Sequence, residues 1–524
     1  MPRPSHRPGA LLLLPLVLLL AACSAGPSSR PAVAYDEGPQ QIPAAPPSPK
    51  PAPVPPLGGP AQNTLNWQDC TERTRGELGG SAGQPSFGGQ FSCAKLLTDL
   101  RSPEPSGMDV SQVSLLAAGT GQVPLVVLND AAGEPGTTAA ARLAGQLPPE
   151  MLRTFKIIGM DRRGTGTSEP ADCVPPDQRR VLAGFAPRPG DRAATGGLID
   201  AARVAGQRCL LGLDERSQAY DSWRAAGDLE ELRARLGVPK LHALGRGEAA
   251  RVLTTYAERF PGSVGRTVLD GAPDPQQDAV GRAEARARSA EQVFDAFAAE
   301  CSGDDGCPLG PDVRKSVGDL VDDARRAPLP AAGAPVSAGE VVQAVLTGLQ
   351  DRGAWPELAR ALEAAERGDG TALGALAAPM TSGTGGASPR LDGALVTGCN
   401  DTAVRLPPGR GAEIVGEWTS RYPLFGGKQA QQLLRCTGWP LPQETPPPPG
   451  NPGLPPIPVV TTAHDPLTPA RGSDNTARQL PSGSSITWQG TGHGAVGRSG
   501  CVTSAVSRFF VHGTVPTQGT ACPA

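Results

Sequence analysis

Aromatic residues make up only 4% of this 524-residue chain, histidines number five, and lysines six against 42 arginines. So few rings leave little material for a carbohydrate-binding or base-stacking surface. None of the histidines has ligand spacing and no Cys-x-x-Cys pair occurs, so neither a metal site nor any other cofactor is expected. A field of one sign is also missing. The net charge is −3 and the pI is near 6.1, which removes nucleic-acid binding from the candidate functions. The surplus of arginine over lysine reads as base-composition bias, not as a phosphate-binding device. Beyond the first 23 residues no run approaches the ~18 uninterrupted apolar residues that a spanning helix needs.

What is present is enough for a core. Hydrophobic residues are 39%, and Gly 67 and Pro 58 together stay just below the level that signals disorder. The length fits one enzyme-sized unit with an insertion, or two domains. At the start, Arg3 and Arg7 precede the apolar run Leu11 to Leu20, which ends in Leu20-Ala21-Ala22-Cys23. A basic region, a short apolar stretch and small residues describe a secretory signal over 1–22. A cysteine directly after Leu-Ala-Ala resembles the bacterial lipobox, which implies lipidation of Cys23 and an extracytoplasmic protein held to the cell membrane. Residues 23–62, rich in Pro and Ala, read as a tether. The remaining ten cysteines, Cys70, Cys93, Cys173, Cys209, Cys301, Cys307, Cys399, Cys436, Cys501 and Cys522, imply five disulfides in an oxidising compartment. Spacing does not dictate their connectivity; pairing of neighbours in order is the expectation.

Short apolar runs bounded by turn residues predict strands at Val123–Leu128, Phe155–Met160, Leu241–Leu244, Thr267–Leu269, Ile457–Thr461 and Ser485–Trp488. Helical periodicity lies between them, as over Trp223–Leu236 and Ala249–Phe260. Such alternation predicts an α/β fold with a mostly parallel sheet covered by helices on both faces. The alternation stops after Pro275 and resumes at Ile457, with Ala-rich helical patterns between. The expected layout is a first core part over 63–275, a helical cap insertion over 276–395, and a C-terminal core part over 396–524.

The chemistry gathers at strand ends. Asp465 follows the strand that starts at Ile457, and His493 follows the next one. Asp-then-His in that order is the acid and base of a hydrolase triad, in which the Asp orients the imidazole. The nucleophile should precede both on a strand-to-helix elbow, Gly-x-Ser-x-Gly. The chain reads Gly245-Arg246-Gly247-Glu248-Ala249, with Gly247 where the serine belongs.

From about Trp67 to Cys522 the chain resembles the secreted tripeptidyl-aminopeptidase-like α/β-hydrolases, relatives of proline iminopeptidase from actinobacteria. The matching stretches are Asp161 to Ser168, Tyr256 to Pro275, and His493 to Cys522. The resemblance implies the α/β-hydrolase fold, peptidase or ester chemistry, and a helical cap over the substrate N-terminus. It also assigns Asp465 and His493 as acid and base. The family's glycine-rich oxyanion turn reads Asn129-Asp130-Ala131-Ala132-Gly133-Glu134 here, which brings negative charge where a developing oxyanion would sit. With nucleophile and oxyanion turn both altered, the expected function is a pseudo-hydrolase that binds a peptide or acyl ligand. The alternative is an active peptidase or esterase with a non-standard nucleophile, for which Glu248 is the adjacent candidate. Glycine at 247 is expected to relax the elbow. Ser168 reads as a turn residue, Ser222 and Ser263 as helix caps, and His242 and His464 as packing or surface residues.

Overall fold

The computed structural model describes residues 51–79, 87–102, 110–130, 132–383 and 387–524. The segment 1–22 read as a secretory signal, Cys23 and most of the expected tether lie outside these residues. Ten strands form one sheet: β1 Gln68–Asp69, β2 Phe91–Asp99, β3 Val110–Ala118, β4 Val123–Leu128, β5 Phe155–Met160, β6 Leu241–Arg246, β7 Val264–Asp270, β8 Ile457–His464, β9 Gly483–Thr491 and β10 Thr520–Cys522. Their order is β1-β2-β3-β5-β4-β6-β7-β8-β9-β10. The pairs from β5 through β10 are parallel. β1, β2 and β3 run antiparallel to their neighbours. This is the α/β-hydrolase fold, with one short extra strand at each edge.

Alternation within the central strands explains the double cover. In β4, Val126 and Leu128 enter one apolar cluster with the helices Ser222–Leu236 and Ala249–Arg259. Leu125 and Val127 enter another, with the helices Gly136–Gln146 and Gly500–His512. A strand buried on both faces reads as a continuous apolar run, which is why its ends were legible. β2 and β3, which interleave polar and apolar residues on an antiparallel flank, are not among the strands expected from the sequence.

Between β7 and β8 the chain is helical from Ala279 to Leu434. The insertion is therefore longer than the 276–395 read from the sequence. The helices between Arg390 and Leu434 share an apolar cluster with Pro176–Gly184 and Arg192–Leu213, so the cap is assembled from two stretches of chain. The tether is also shorter than 23–62. Ala52 N–H donates to Leu454 O (3.3 Å) and Ala61 N–H to Gly237 O (3.1 Å). Arg266 Nε donates to Pro55 O (2.9 Å). Residues 51–62 thus lie against the core.

All five disulfides pair neighbours in order: Cys70–Cys93, Cys173–Cys209, Cys301–Cys307, Cys399–Cys436 and Cys501–Cys522. They are those of an extracytoplasmic protein.

The Asp161 to Ser168 stretch is a buried structural turn. Ser168 Oγ donates to Asp161 O (2.9 Å) and accepts from Ser114 N–H (2.7 Å). Arg163, 1% exposed, pairs in bidentate fashion with the fully buried Asp228, Nε to Oδ2 at 2.8 Å. Removing one partner strands the other's charge in the interior. Asp228→Ala is therefore expected to cost about 3–5 kcal/mol, read as a lower urea midpoint at unchanged slope.

Candidate functional site

The strand order reverses at β4, which is followed in the chain by its neighbour β5 and flanked on its other side by β6. Open α/β sheets place ligands in the crevice at such a switch point, beyond the carboxyl ends of the strands. Four groups meet there. Asp130 leaves β4, Gly247 leaves β6, Asp465 leaves β8 and His493 leaves β9.

Gly247 has φ +59°. The left-handed elbow expected to relax is retained, held by Gly247 N–H donating to Asp270 O at 3.2 Å. What has changed is the space above it. A Cβ added at Gly247 would fall 2.7 Å from Asp130 Oδ2 and closer still to Oδ1. The Asp130 carboxylate thus fills the volume that a nucleophile's side chain would occupy. One of its oxygens accepts from Glu248 N–H, the amide just past the elbow. The other lies 2.8 Å from His493 Nε2.

On its far side the imidazole meets Asp465, with Nδ1 at 3.0 Å from Oδ2 and 3.1 Å from Oδ1. Asp465 is 1% exposed, and its Oδ1 also accepts the N–H groups of Leu467 and Thr468, each at 2.8 Å. The cap grips the same loop, His493 N–H donating to Gln350 O at 2.9 Å, and within the loop Arg498 donates to His493 O. Burial works against charge on the ring. The carboxylates of Asp465 and Asp130 outweigh it and push His493 up to about 10. A ring with a carboxylate on each nitrogen is a doubly protonated cation at neutral pH, with no lone pair left to act as a base.

The other candidates are accounted for. Glu248 faces the cap, its Oε1 3.1 Å from an Arg286 nitrogen and its Oε2 3.5 Å from Arg251. Burial raises its carboxyl, but Arg251, Arg286, Arg282 and Arg162 outweigh that and hold it at about 2. Asn129 Nδ2 donates to Glu134 O at 2.9 Å, closing the turn. The Glu134 carboxylate pairs with Arg142 at 2.6 Å. His242 is buried in β6, with Nδ1 accepting from Arg266 N–H at 2.9 Å, and burial together with Arg266 pushes it down to about 4. His464 is exposed. Ser222 is not the cap of its helix: Asp221 is, and Ser222 bonds Asp401 instead. Ser263 lies in a short 3₁₀ turn, where its hydroxyl donates to Glu230 at 3.3 Å. Among the described residues no group of three or more His, Cys, Asp or Glu could hold a metal ion.

A cavity of about 350 Å³ opens from this centre beneath the cap. Several of its cationic walls, Lys428, Arg286, Arg390 and Arg435, come from cap helices where the sequence offered only helical periodicity. The positive charge is local to the cavity, so an even overall balance concealed it.

Residues 422–522 match the family of TAP-like proteins within the α/β-hydrolases. The serine protease Hip1 of Mycobacterium tuberculosis H37Rv is 28% identical over 89% of this chain and 92% of its own length. Carboxylesterase B of the same strain is 27% identical over 82% of this chain and 86% of its own length. The tripeptidyl aminopeptidase of Streptomyces lividans is 25% identical over 88% and 87% respectively.

Proposed function

We propose that this chain, which belongs to the TAP-like α/β-hydrolases, is a lipid-anchored pseudo-hydrolase that binds a peptide or acyl ligand and does not hydrolyse it through a serine. The observation that carries this reading is the Asp130 carboxylate, seated above Gly247 and bonded to both His493 Nε2 and Glu248 N–H. A serine hydrolase needs three things there: a hydroxyl, a neutral imidazole to accept its proton, and a free amide for the oxyanion. Here glycine removes the first, two flanking carboxylates remove the second, and Asp130 occupies the third. Retention of Asp465 and His493 follows from what they do in this arrangement, bracing the loops after β4, β8 and β9 around one buried cation. The anchor is the lipid on Cys23, with the protein on the outer side of the cell membrane.

A second reading has one observation behind it. The same Asp130 carboxylate could attack an ester or amide carbonyl to form an acyl-aspartyl anhydride and expel the alkoxide or amine. Water would then have to open the anhydride, giving its proton to His493. An imidazole held protonated between two carboxylates cannot take it, so the inert reading is preferred.

The test is reaction of the purified chain with a fluorophosphonate probe and with p-nitrophenyl acetate. The expected result is no labelling and no release of nitrophenolate above the buffer rate. Labelling would mean an activated serine elsewhere and would sink the proposal. Turnover without labelling, abolished by Asp130→Asn, would establish the carboxylate mechanism instead.

A further inference from the structure

Positive charge outnumbers negative charge on the walls of the cavity beneath the cap. Among the described residues nine Arg and Lys side chains line it, against the four carboxylates Asp130, Glu134, Glu248 and Asp401. Every one of these carboxylates is engaged. Asp130 is on His493 and Glu134 on Arg142. Glu248 is shared by Arg286 and Arg251, and Asp401 accepts from Ser222 Oγ at 2.6 Å with Arg162 at 3.6 Å.

Of the other cations, Arg246 pairs with the buried Asp270 at 3.1 Å and Arg498 lies 3.9 Å from Asp351, which leaves Arg282, Arg390, Lys428 and Arg435 with no carboxylate partner among the described residues. Lys428 is 7% exposed and lines the cavity, and among the described residues it has neither a hydrogen-bond nor an ion-pair partner. The Nε atoms of Arg286 and Arg435 are buried without an acceptor. Burial, helped by the Arg435 charge, pushes Lys428 down to about 8. Burial, with Arg286 adding to it, brings Arg435 to about 10. Uncompensated buried cations are costly, and folds that keep them usually supply an anion. Leu376, Met380 and Leu433 provide an apolar wall to the same space.

We infer that this cavity takes an organic anion, a carboxylate or phosphate-monoester head on a short apolar body, with the head among Lys428, Arg286 and Arg435. The inference rests on the ligand-binding reading above and names the class of ligand. It reverses the expectation drawn from the resemblance, in which a cap closes over a peptide's N-terminal ammonium. Such a group would enter a space that repels it.

The experiment measures binding to the full chain by calorimetry and by shift in melting temperature, with four probes. Hexanoate and hexyl phosphate share a tail and differ in head, hexylamine carries the same tail on a cation, and inorganic phosphate is a head alone. At least one of the two tailed anions is expected to bind and to raise the melting temperature, while hexylamine does neither. Which anion binds tighter assigns the head. Lys428→Met, which keeps the volume and deletes the charge, is expected to weaken the anion at least tenfold. It should leave the free protein as stable as wild type or more so, because an unpaired buried charge has gone. Arg390→Gln, at the less buried margin, serves as a second variant and should weaken the anion by a smaller factor. Equal or tighter binding of hexylamine overturns the inference. So does the absence of binding by both tailed anions, or anion affinity unchanged in both variants. Fluorophosphonate reactivity of the wild type would sink the pseudo-hydrolase reading and leave the anion result standing, so the two ideas fail separately.

Discussion

The Gly247→Ser protein will stay unreactive toward fluorophosphonate, and the Asp130→Gly/Gly247→Ser protein will label. Serine alone is expected to fail for a steric and an electrostatic reason. Its side chain would enter space held by the Asp130 carboxylate, whose Oδ2 lies 2.7 Å from the ideal Cβ position. The imidazole it needs as a base would still be protonated. Removing Asp130 addresses every part of this at once. It clears the volume, frees Glu248 N–H for an oxyanion, and leaves His493 with only Asp465, the arrangement of a working triad. Loss of a nucleophile costs about 10⁶ in turnover and loss of an oxyanion donor a further 10² to 10³. Even partial recovery should therefore raise the labelling rate of the double variant roughly 10³-fold over the single one. A double variant that stays dark would show that the defect extends beyond these two positions.

His493→Gln should produce the largest loss of stability of any single change in the site. It deletes the cation between Asp130 and Asp465 and leaves two carboxylates facing one another in a buried centre. Breaking a buried pair by removing one partner costs about 3–5 kcal/mol, and two anions are stranded here. The pH dependence carries the same information. An imidazole near 6.5 in the unfolded chain and pushed up to about 10 in the fold binds its proton more tightly when folded. Its contribution is fully present below about pH 6.5 and is lost as pH rises through 10. The His493 contribution should thus fall steadily from about pH 7 to pH 10, at up to ~1.4 kcal/mol per pH unit. Lys428, pushed down to about 8 in the fold, works in the opposite sense above that pH, so the quantity to follow is the stability of wild type minus that of His493→Gln, which should shrink over the interval. A difference that stays constant would mean that the ring carries no charge held by Asp130 and Asp465.

The strand-end positions of Asp465 and His493, the glycine at the elbow and the order of disulfide pairing could all be read from the chain, because each depends on local pattern. Asp465 and His493 follow short runs bounded by turn residues, Ile457–Thr461 and Ser485–Trp488, and Gly247 sits between a strand and a helix. The coupling between Gly247 and Asp130 could not be read in the same way. They stand more than a hundred residues apart, and each departure by itself looks like a loss. A signal was nonetheless present: a side chain vanishes at one position as a carboxylate appears at another that the fold places alongside it. Asp130 was read as charge near an oxyanion site, when it is also the plug that fills the missing volume. The arginines of the cavity were hidden for a different reason. They are spread from Arg162 to Arg498 among as many acids, so only the folded arrangement sorts paired charge from unpaired. The lower half of the cap was missed at its boundary because helices that pack on helices carry no mark of which layer they serve.

The five bridges have one more property, which concerns time. A chain that reaches an oxidising compartment N-terminus first presents its cysteines one after another. Each bridge here joins a cysteine to the next to arrive, across intervals of 6 to 37 residues. Among these ten cysteines the correct partner is thus the first one offered, and each earlier pair can already be closed when a new one emerges. Assembly can proceed as a ratchet, each closed loop shortening the open chain behind the segment still in transit, with no bond that has to be undone before the next can form.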